Sequence, residues 1–250
     1  MPTEDPDQVI EEILKQIISE SNTRPADDLV AKALLFLLVR VANSWRSIRT
    51  LRKYTPDKDG FMIDAGTIIR AMYDAYFQAE FVLCDRERSM QRAKDYFEFE
   101  HVEKYKLFER ILAHSNWIAE RLKLSPKREA GQNENKRQFE RVKDRFPLGK
   151  KQKDKTRSHW YPGNLTTVAT DIGKTDEYDT MLALFNGSVH SSAFAVNLGP
   201  PISAEHVLNM ASTIVAKTAR LGVVHNAIKL GEIHQQILDL LCSPPGARNL

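Results

Sequence analysis

Apolar residues recur three and four positions apart along most of the chain, which is the spacing of an amphipathic α-helix. The first such run begins after Asp5-Pro6, a favourable pair for a helix start, and ends near residue 21. The next run, from residues 27–28 to about residue 54, has a centre that is apolar almost all round. We expect this second helix to lie centrally in the fold.

The same spacing continues towards the C-terminus. Further helices are predicted, in chain order, over residues 64–84, about 85–114, 133–146, 166–172, 178–197 and 203–242. Gly222 and Gly231 would allow a bend in the last of these, and residues 243–250 have the composition of a flexible tail. No series of short alternating segments with frequent turn signals is present. The sequence therefore predicts one all-α domain over residues 1–250, a bundle of six to eight helices.

The composition, with 42% hydrophobic and 28% charged residues, is that of an ordinary globular protein. No apolar run approaches the ~20 residues that a membrane span requires, and the N-terminus has no apolar core of a secretory signal. The two cysteines are far apart in the chain and form no Cys-x-x-Cys pair. We therefore expect a cytoplasmic, reduced protein that does not associate with a membrane.

The net charge of +3 is unevenly distributed along the chain. Residues 121–157 carry 14 Lys and Arg against 5 Asp and Glu, a local charge of +9 that leaves −6 for the remainder. This basic excursion, near residues 125–158, is predicted to be partly irregular. Because cations bind phosphates and aromatic rings stack on bases, we predict RNA or another anionic ligand as partner, with a solvated loop as the alternative. The predicted nucleic-acid-binding residues are Lys150, Lys151, Lys153, Arg157 and Trp160.

The segment over residues 178–197 carries the most informative pattern. In a regular helix its core-facing stripe consists of Tyr178, Met181, Leu182, Phe185, Val189, Ser192 and Val196. Beside the stripe runs a second line, the polar strip, made of Asp179, Ala183, Asn186, His190 and Asn197. Because imidazole titrates near neutrality, His190 is a candidate acid–base or anion-binding group. The alternatives are an interhelical hydrogen bond and plain surface.

Arg70 and Asp74 lie four residues apart at the flank of the third predicted helix. They could form a structural ion pair, since such spacing brings side chains together on one helix face. Alternatively, if the third and seventh helices lie side by side, Arg70 would meet the polar strip across the core.

Arg220 and His225 match the Arg-x4-6-His pattern of the HEPN superfamily, helical domains that are often metal-independent ribonucleases. In a regular helix these two side chains point about 140° apart, and His225 shares the apolar line of its helix. A core histidine is the alternative. Glu98 and His101 supply half of a di-iron carboxylate motif, but no second Glu-x-x-His is present, so no metal site is predicted. No cofactor is expected, because Gly-rich phosphate loops are absent.

The order of these motifs resembles an all-helical bacterial family of unknown function, in which an Arg-x-Leu-x-Glu helix precedes a Tyr…Ser…His helix. The matching motifs are Arg70 with Asp74, Ala93 with Tyr96 and Phe97, Trp160, and Tyr178 with Asn186 to His190. The resemblance spans roughly residues 34–229, and Asp74 stands where Glu is usual, which shortens the reach of the acid. It implies that Arg70, Asp74, Tyr178, Ser188 and His190 converge. A looser similarity to HEPN domains implies RNA cleavage or a role in bacterial defence or toxin systems.

Three hypotheses follow. In the first, the protein is a metal-independent endoribonuclease in which His190 is the acid–base group and Arg70 stabilises the pentacoordinate phosphate. The remaining residues of that predicted catalytic site are Asp74, Tyr178, Asn186 and Ser188. In the second, the chain is a non-catalytic interaction module, a homodimer formed through the last helix. In the third, the residues of that predicted catalytic site form a pocket that binds a small anionic ligand.

Overall fold

The computed structural model describes residues 5–55, 58–114, 116–117, 120–121, 128–148, 155–189 and 203–243, with the backbone alone at 58–60, 62, 128–130 and 186–189. These ranges contain nine α-helices and no β-strand, which confirms the all-α class. The prediction of six to eight helices is slightly low, because the last predicted helix is in fact two.

The helices have the following bounds. They are α1 (Pro6–Asn22), α2 (Leu29–Tyr54), α3 (Lys58–Leu83), α4 (Ser89–Ala113), α5 (Arg128–Val142), α6 (Leu165–Asp171), α7 (Thr175–Val189), α8 (Ala204–Asn226) and α9 (Glu232–Cys242). A 3-10 turn, Lys143–Arg145, follows α5.

Three helix starts are capped by the side chain of the residue that precedes the helix. Asp5 accepts a hydrogen bond from the backbone N–H of Asp7 at 3.0 Å, and the proline between them occupies the first turn. The Asp28 carboxylate accepts from the N–H of Ala31 at 3.0 Å, and the Ser203 hydroxyl accepts from the N–H of His206 at 3.2 Å. Each cap satisfies a backbone donor that a helix start leaves without an intrahelical partner.

Backbone packing divides the chain into two compact units. The first unit comprises Met1–Met90 and Leu165–Leu250, and the second comprises Gln91–Asn164. The basic excursion predicted near residues 125–158 falls within the second unit. The assignment of residues 1–250 to one domain stays a prediction.

In the first unit, α3 packs against α2, α6, α7 and α8, and α8 packs in turn against α1, α2 and α9. The central position predicted for α2 is thus shared with α3 and α8. The largest fully buried side chains of the first unit include Trp45, Tyr76, Phe77 and Phe185. Gly222 lies inside α8, where a Cβ atom would come within 3.1 Å of Ile17 Cγ2, so the missing side chain lets α1 approach α8 closely.

The second unit packs its irregular segment onto α4. Phe146 is fully buried and meets Phe99 edge-on, with ring centroids 5.2 Å apart. The backbone N–H of Leu148 donates to the carbonyl of Lys155 at 2.6 Å, and that of Arg157 donates to the carbonyl of Phe146 at 2.9 Å. These two hydrogen bonds join the ends of the segment that carries the predicted lysines.

The break between α8 and α9 occurs at Ala227, and neither Gly222 nor Gly231 forms it. Ala227 adopts the left-handed conformation, with φ 51° and ψ 40°. The N–H of Ile228 donates to the carbonyl of Val223 at 3.0 Å, which closes α8 in the hydrogen-bond pattern of a Schellman motif. Gly231 instead stands at the N-cap of α9. The prediction of a single helix over residues 203–242 is therefore wrong.

We expect that replacing Ala227 by Gly will raise the free energy of unfolding by roughly 1 kcal/mol, because glycine adopts the left-handed conformation without the clash of a Cβ atom. Urea denaturation followed by circular dichroism measures this. The matched control is Ala183→Gly on the exposed face of α7, where the same exchange should lower stability by ~0.5–1 kcal/mol. Equal effects of the two variants would contradict the strain at Ala227.

Candidate functional site

Arg70 lies where α3 meets α7. Its guanidinium carbon stands 5.3 Å from the centroid of the Tyr178 ring, and its Nη2 is 3.5 Å from the Tyr178 hydroxyl oxygen. Its Nη1 lies 3.5 Å from Met181 Sδ. The ring of Tyr178 in turn contacts Phe77, with centroids 6.0 Å apart. The predicted side-by-side packing of the third and seventh helices is therefore present, and Arg70 faces α7.

Asp74 stands one helical turn after Arg70 and holds its other side. Arg70 Nη1 and Asp74 Oδ1 are 2.5 Å apart, and their side chains are 17% and 34% exposed. Elsewhere in the first unit, Arg46 binds Glu11 through two nitrogens, each at 2.7 Å. The Arg70–Asp74 pair uses one guanidinium nitrogen, so the Nε–Nη2 edge is not part of it. Arg70, Asp74, Tyr178 and Met181 are called the Arg70 cluster below.

The sequence produces this arrangement through two apolar faces with a cation at their border. On α3, the face that contains Ile69 and Met72 is fully buried, and Arg70 is placed at its flank. Gly173, with φ 70°, turns the chain between α6 and α7. In α7, Tyr178 and Met181 follow at the spacing that puts both against α3. A guanidinium lying on an aromatic ring at such a border is stabilised by the negative face of that ring.

The described part of the polar strip lies on the other side of α7. Asp179 and Ala183 are exposed, whereas Tyr178 is 5% exposed and Met181 is 1% exposed. Because Tyr178 is buried, its side chain contacts Arg70 and does not extend into solvent.

The structure brings three of the six predicted catalytic residues together: Arg70, Asp74 and Tyr178. Asn186 and Ser188 belong to α7, but their side chains lie outside the described residues. His190, together with Asn197 of the polar strip, also lies outside them.

A network of charged residues beside this cluster was not predicted. Lys174 Nζ lies 2.5 Å from the Tyr76 hydroxyl and 3.0 Å from Glu80 Oε1. Glu177, which precedes Tyr178, accepts from Lys217 Nζ at 2.9 Å. Burial, and then the charge of Glu80, raise the pKa of Tyr76. The network ties the start of α7 to α3 and α8 and thereby fixes the backbone that carries Tyr178.

A family model matches residues 31–199, more than half of the chain, and its description is a family of unknown function, DUF5677. The chain belongs to this family. The predicted resemblance to a helical family of unknown function is confirmed at that level, while its motifs and its link to HEPN domains stay predictions. No curated protein and no solved structure matches the chain. The match includes α3 and α7, so the Arg70 cluster lies within the DUF5677 region.

Two of the residues predicted to bind nucleic acid are structural contacts in this DUF5677 protein. Trp160 is 6% exposed and meets Tyr96 edge-on, with ring centroids 5.6 Å apart. Arg157 Nη2 donates to the carbonyl of Trp160 at 2.5 Å, and burial lowers the pKa of its guanidinium. Trp160 therefore does not offer a face for base stacking, and the exposed ring of the segment is His159, stacked on Tyr161 at 5.0 Å. Lys150, Lys151 and Lys153 lie outside the described residues.

The alternative HEPN-like pair does not meet within the chain. Arg220 is 50% exposed and its Nη1 lies 3.6 Å from Asp239 Oδ1 of α9. His225 is half-buried and lines a cleft that also contains Asp28. The two side chains thus contact different elements, as their spacing on a regular helix indicates.

Replacing His225 by Gln should flatten the acid side of the stability curve. Burial lowers the pKa of His225; Asp28 opposes this shift and Arg24 adds to it. The unfolded chain, with a His pKa of about 6.5, then takes up the proton first, so wild-type stability falls as the pH drops from about 7 to 5. Urea denaturation at each pH measures the slope, and His159→Gln is the matched control for loss of a histidine. Burial also lowers the pKa of His101, which maintains part of the slope. Identical slopes for wild type and His225→Gln would contradict the prediction.

Two general properties of this DUF5677 protein bear on its chemistry. Within the described ranges, no group of three or more His, Cys, Asp or Glu side chains is arranged to hold a metal ion. Among the described helices, α8 alone is long and apolar enough to cross a membrane, and half of its apolar window is buried inside the protein. Such burial is typical of the core helix of a globular fold.

Proposed function

We propose that this DUF5677 protein binds a phosphate-bearing ligand at the Arg70 cluster. The supporting observation is a guanidinium that is largely withdrawn from water and that, within the part of the chain the structure describes, forms an ion pair through one nitrogen only. Asp74 occupies Nη1, and among the described residues the Nε–Nη2 edge meets nothing nearer than the Tyr178 hydroxyl at 3.5 Å. That edge has the geometry that binds two phosphate oxygens at once.

The environment of Arg70 favours recognition of an anion over a purely structural role. Tyr178 beneath the guanidinium and Asp74 beside it fix its plane, so little conformational entropy is lost when an anion is bound. A side chain that is 17% exposed has lost most of its hydration, which strengthens each charged hydrogen bond that it makes. Asp74 balances the charge of Arg70 when no anion is bound, and the carboxylate competes with an incoming phosphate for the same cation.

RNA is the ligand class we favour, because residues 121–157 carry a local charge of +9. Neutralising backbone phosphates with Lys and Arg releases counterions and makes binding fall steeply with salt. A small phosphorylated metabolite would depend on the Arg70 cluster alone and would show a shallower salt dependence.

Metal-independent cleavage of that RNA is the second candidate, and the position of Arg70 favours it. In such a reaction His190 takes the proton of a ribose 2′-hydroxyl, and the oxygen attacks the adjacent phosphorus. Arg70 stabilises the charge of the pentacoordinate phosphate. The bond to the 5′-oxygen breaks, that oxygen takes up a proton, and the products end in a 2′,3′-cyclic phosphate and a 5′-hydroxyl. Asp74 and Tyr178 act as positioning residues for Arg70.

Two measurements on the full chain test these proposals. Fluorescence anisotropy with a labelled single-stranded RNA, at several salt concentrations and with inorganic phosphate as competitor, measures binding. Incubation of the same RNA in EDTA measures cleavage. We expect salt-dependent binding that phosphate weakens; no binding of either probe would overturn the proposed function.

The histidine variants separate the routes of cleavage. Loss of cleavage in His190→Ala with full activity in His225→Ala supports the Arg70 site. The opposite result supports the Arg220–His225 pair. Binding without cleavage in EDTA leaves the first proposal in place and rejects the second.

A further inference from the structure

A cleft of the first unit lies away from α7. It has a volume of about 970 Å³ and is bounded by the turn before α2, the turn after α3 and the C-terminal end of α8. Asp27, Arg86, Met90 and Val224 stand around it, and it is called the α2–α8 cleft below. No contact of the Arg70 cluster described above reaches it.

Two exposed apolar side chains stand at the rim of this cleft. Val224 is 71% exposed and Met90 is 51% exposed, and both line the cleft beside the buried Val30. Contiguous exposed apolar side chains are typical of a surface that another protein covers. The cleft therefore carries both a cavity and two side chains of a size to fill a cavity.

Charges of opposite sign flank these apolar residues. Asp27 and Asp28 belong to the turn before α2, and Arg86 belongs to the turn after α3. Asp28 is occupied as the N-cap of α2, which leaves Asp27 as the exposed acid of that turn. Asp27 and Arg86 are both exposed.

A two-fold contact requires a surface that complements itself, because the same patch serves on both subunits. We infer that a second copy of this chain docks on the α2–α8 cleft. Val224 and Met90 of each subunit enter the cleft of the other, and Asp27 of one faces Arg86 of its mate. The two charges supply the complementarity that selects a second copy over an unrelated apolar partner.

The first test is the oligomeric state of the full chain by sedimentation velocity over a range of concentrations. We expect wild type to be dimeric, and Val224→Lys to raise the Kd of dimerisation by at least about tenfold, since it places a charge in the apolar contact. Lysine suits this position in the monomer, because it lies in the last turn of α8, where a cation is favourable. The matched control is Leu240→Lys in the last turn of α9, a site 48% exposed that should leave the dimer intact.

The second test exchanges the charges. Asp27→Arg and Arg86→Asp should each weaken the dimer, because like charges then meet across the two-fold axis. The double variant restores opposite signs and should recover much of the wild-type affinity. Such recovery cannot come from a misfolded protein, so it separates an interface role from a structural one.

Three outcomes would overturn the inference. The first is a wild type that stays monomeric up to ~100 μM, a concentration at which a Kd of ~10 μM would leave most chains paired. The second is a dimer that Leu240→Lys disrupts and Val224→Lys does not. The third is a double charge variant whose dimer is no tighter than that of either single variant.

Discussion

Arg70→Gln should lose most of its affinity for the RNA probe, with a Kd raised by about thirtyfold, equivalent to roughly 2 kcal/mol. Glutamine keeps much of the length of the side chain and a hydrogen-bond donor but removes the charge and the two-nitrogen edge. Arg70→Lys keeps the charge without the planar edge, so its Kd should lie between the two. Fluorescence anisotropy at low salt measures all three proteins.

The matched control for this series is Arg220→Gln. Arg220 is an arginine of the same unit that pairs with Asp239 of α9, and it is 50% exposed. Its loss should change the Kd by less than about twofold, as for an exposed ion pair. Equal effects of Arg70→Gln and Arg220→Gln would contradict specific binding at the Arg70 cluster.

Asp74→Asn distinguishes recognition from a structural pair. If Arg70 binds phosphate, removal of the competing carboxylate should tighten RNA binding severalfold while the amide still accepts a hydrogen bond from Nη1. If the pair only stabilises the fold, the variant should lower thermal stability and leave the Kd unchanged.

The second large effect is on stability. Trp45→Ala should lower the free energy of unfolding by roughly 3–5 kcal/mol, the usual cost of truncating a buried aromatic side chain. Trp45 is 1% exposed, and its Nε1 donates to the Ser212 hydroxyl at 3.2 Å, which links α2 to α8. Arg49 also lies over its ring at 5.0 Å. Urea denaturation followed by circular dichroism gives the change.

Trp117→Ala is the control for this truncation, because Trp117 is 72% exposed. Removal of an exposed side chain should alter stability by less than about 0.5 kcal/mol. Trp45→Phe, which keeps one aromatic ring but removes the five-membered ring with its N–H donor, should cost more than the ~1 kcal/mol of the lost hydrogen bond and less than Trp45→Ala. A Trp45→Ala protein as stable as Trp117→Ala would show that α2 does not pack centrally.

The sequence predicts the helices well because their signals are local. Side-chain caps such as Asp28 and Ser203 act within three residues of the helix start, and apolar spacing reports one face of one helix. The break at Ala227 escapes this approach, because the left-handed conformation is normally indicated by glycine and here an alanine adopts it.

The candidate site was predicted in part for the same reason. Arg70 and Asp74 are one turn apart, so their pairing can be read from the sequence. The partners of Lys174 come instead from α3, and Lys217 reaches Glu177 from α8, so only the folded chain shows the network. Trp160 illustrates the opposite case: an aromatic residue beside lysines suggests stacking on bases, yet its ring is covered by Tyr96.

The close approach of Ile17 to Gly222 has a consequence for synthesis on the ribosome. Synthesis makes α1 before α8 and α9, the two helices against which it packs. Until α8 has left the exit tunnel, the apolar side chains of α1 lack part of the surface that buries them in the folded protein. A nascent chain stalled before residue 204 therefore exposes the apolar face of α1 to chaperones and proteases.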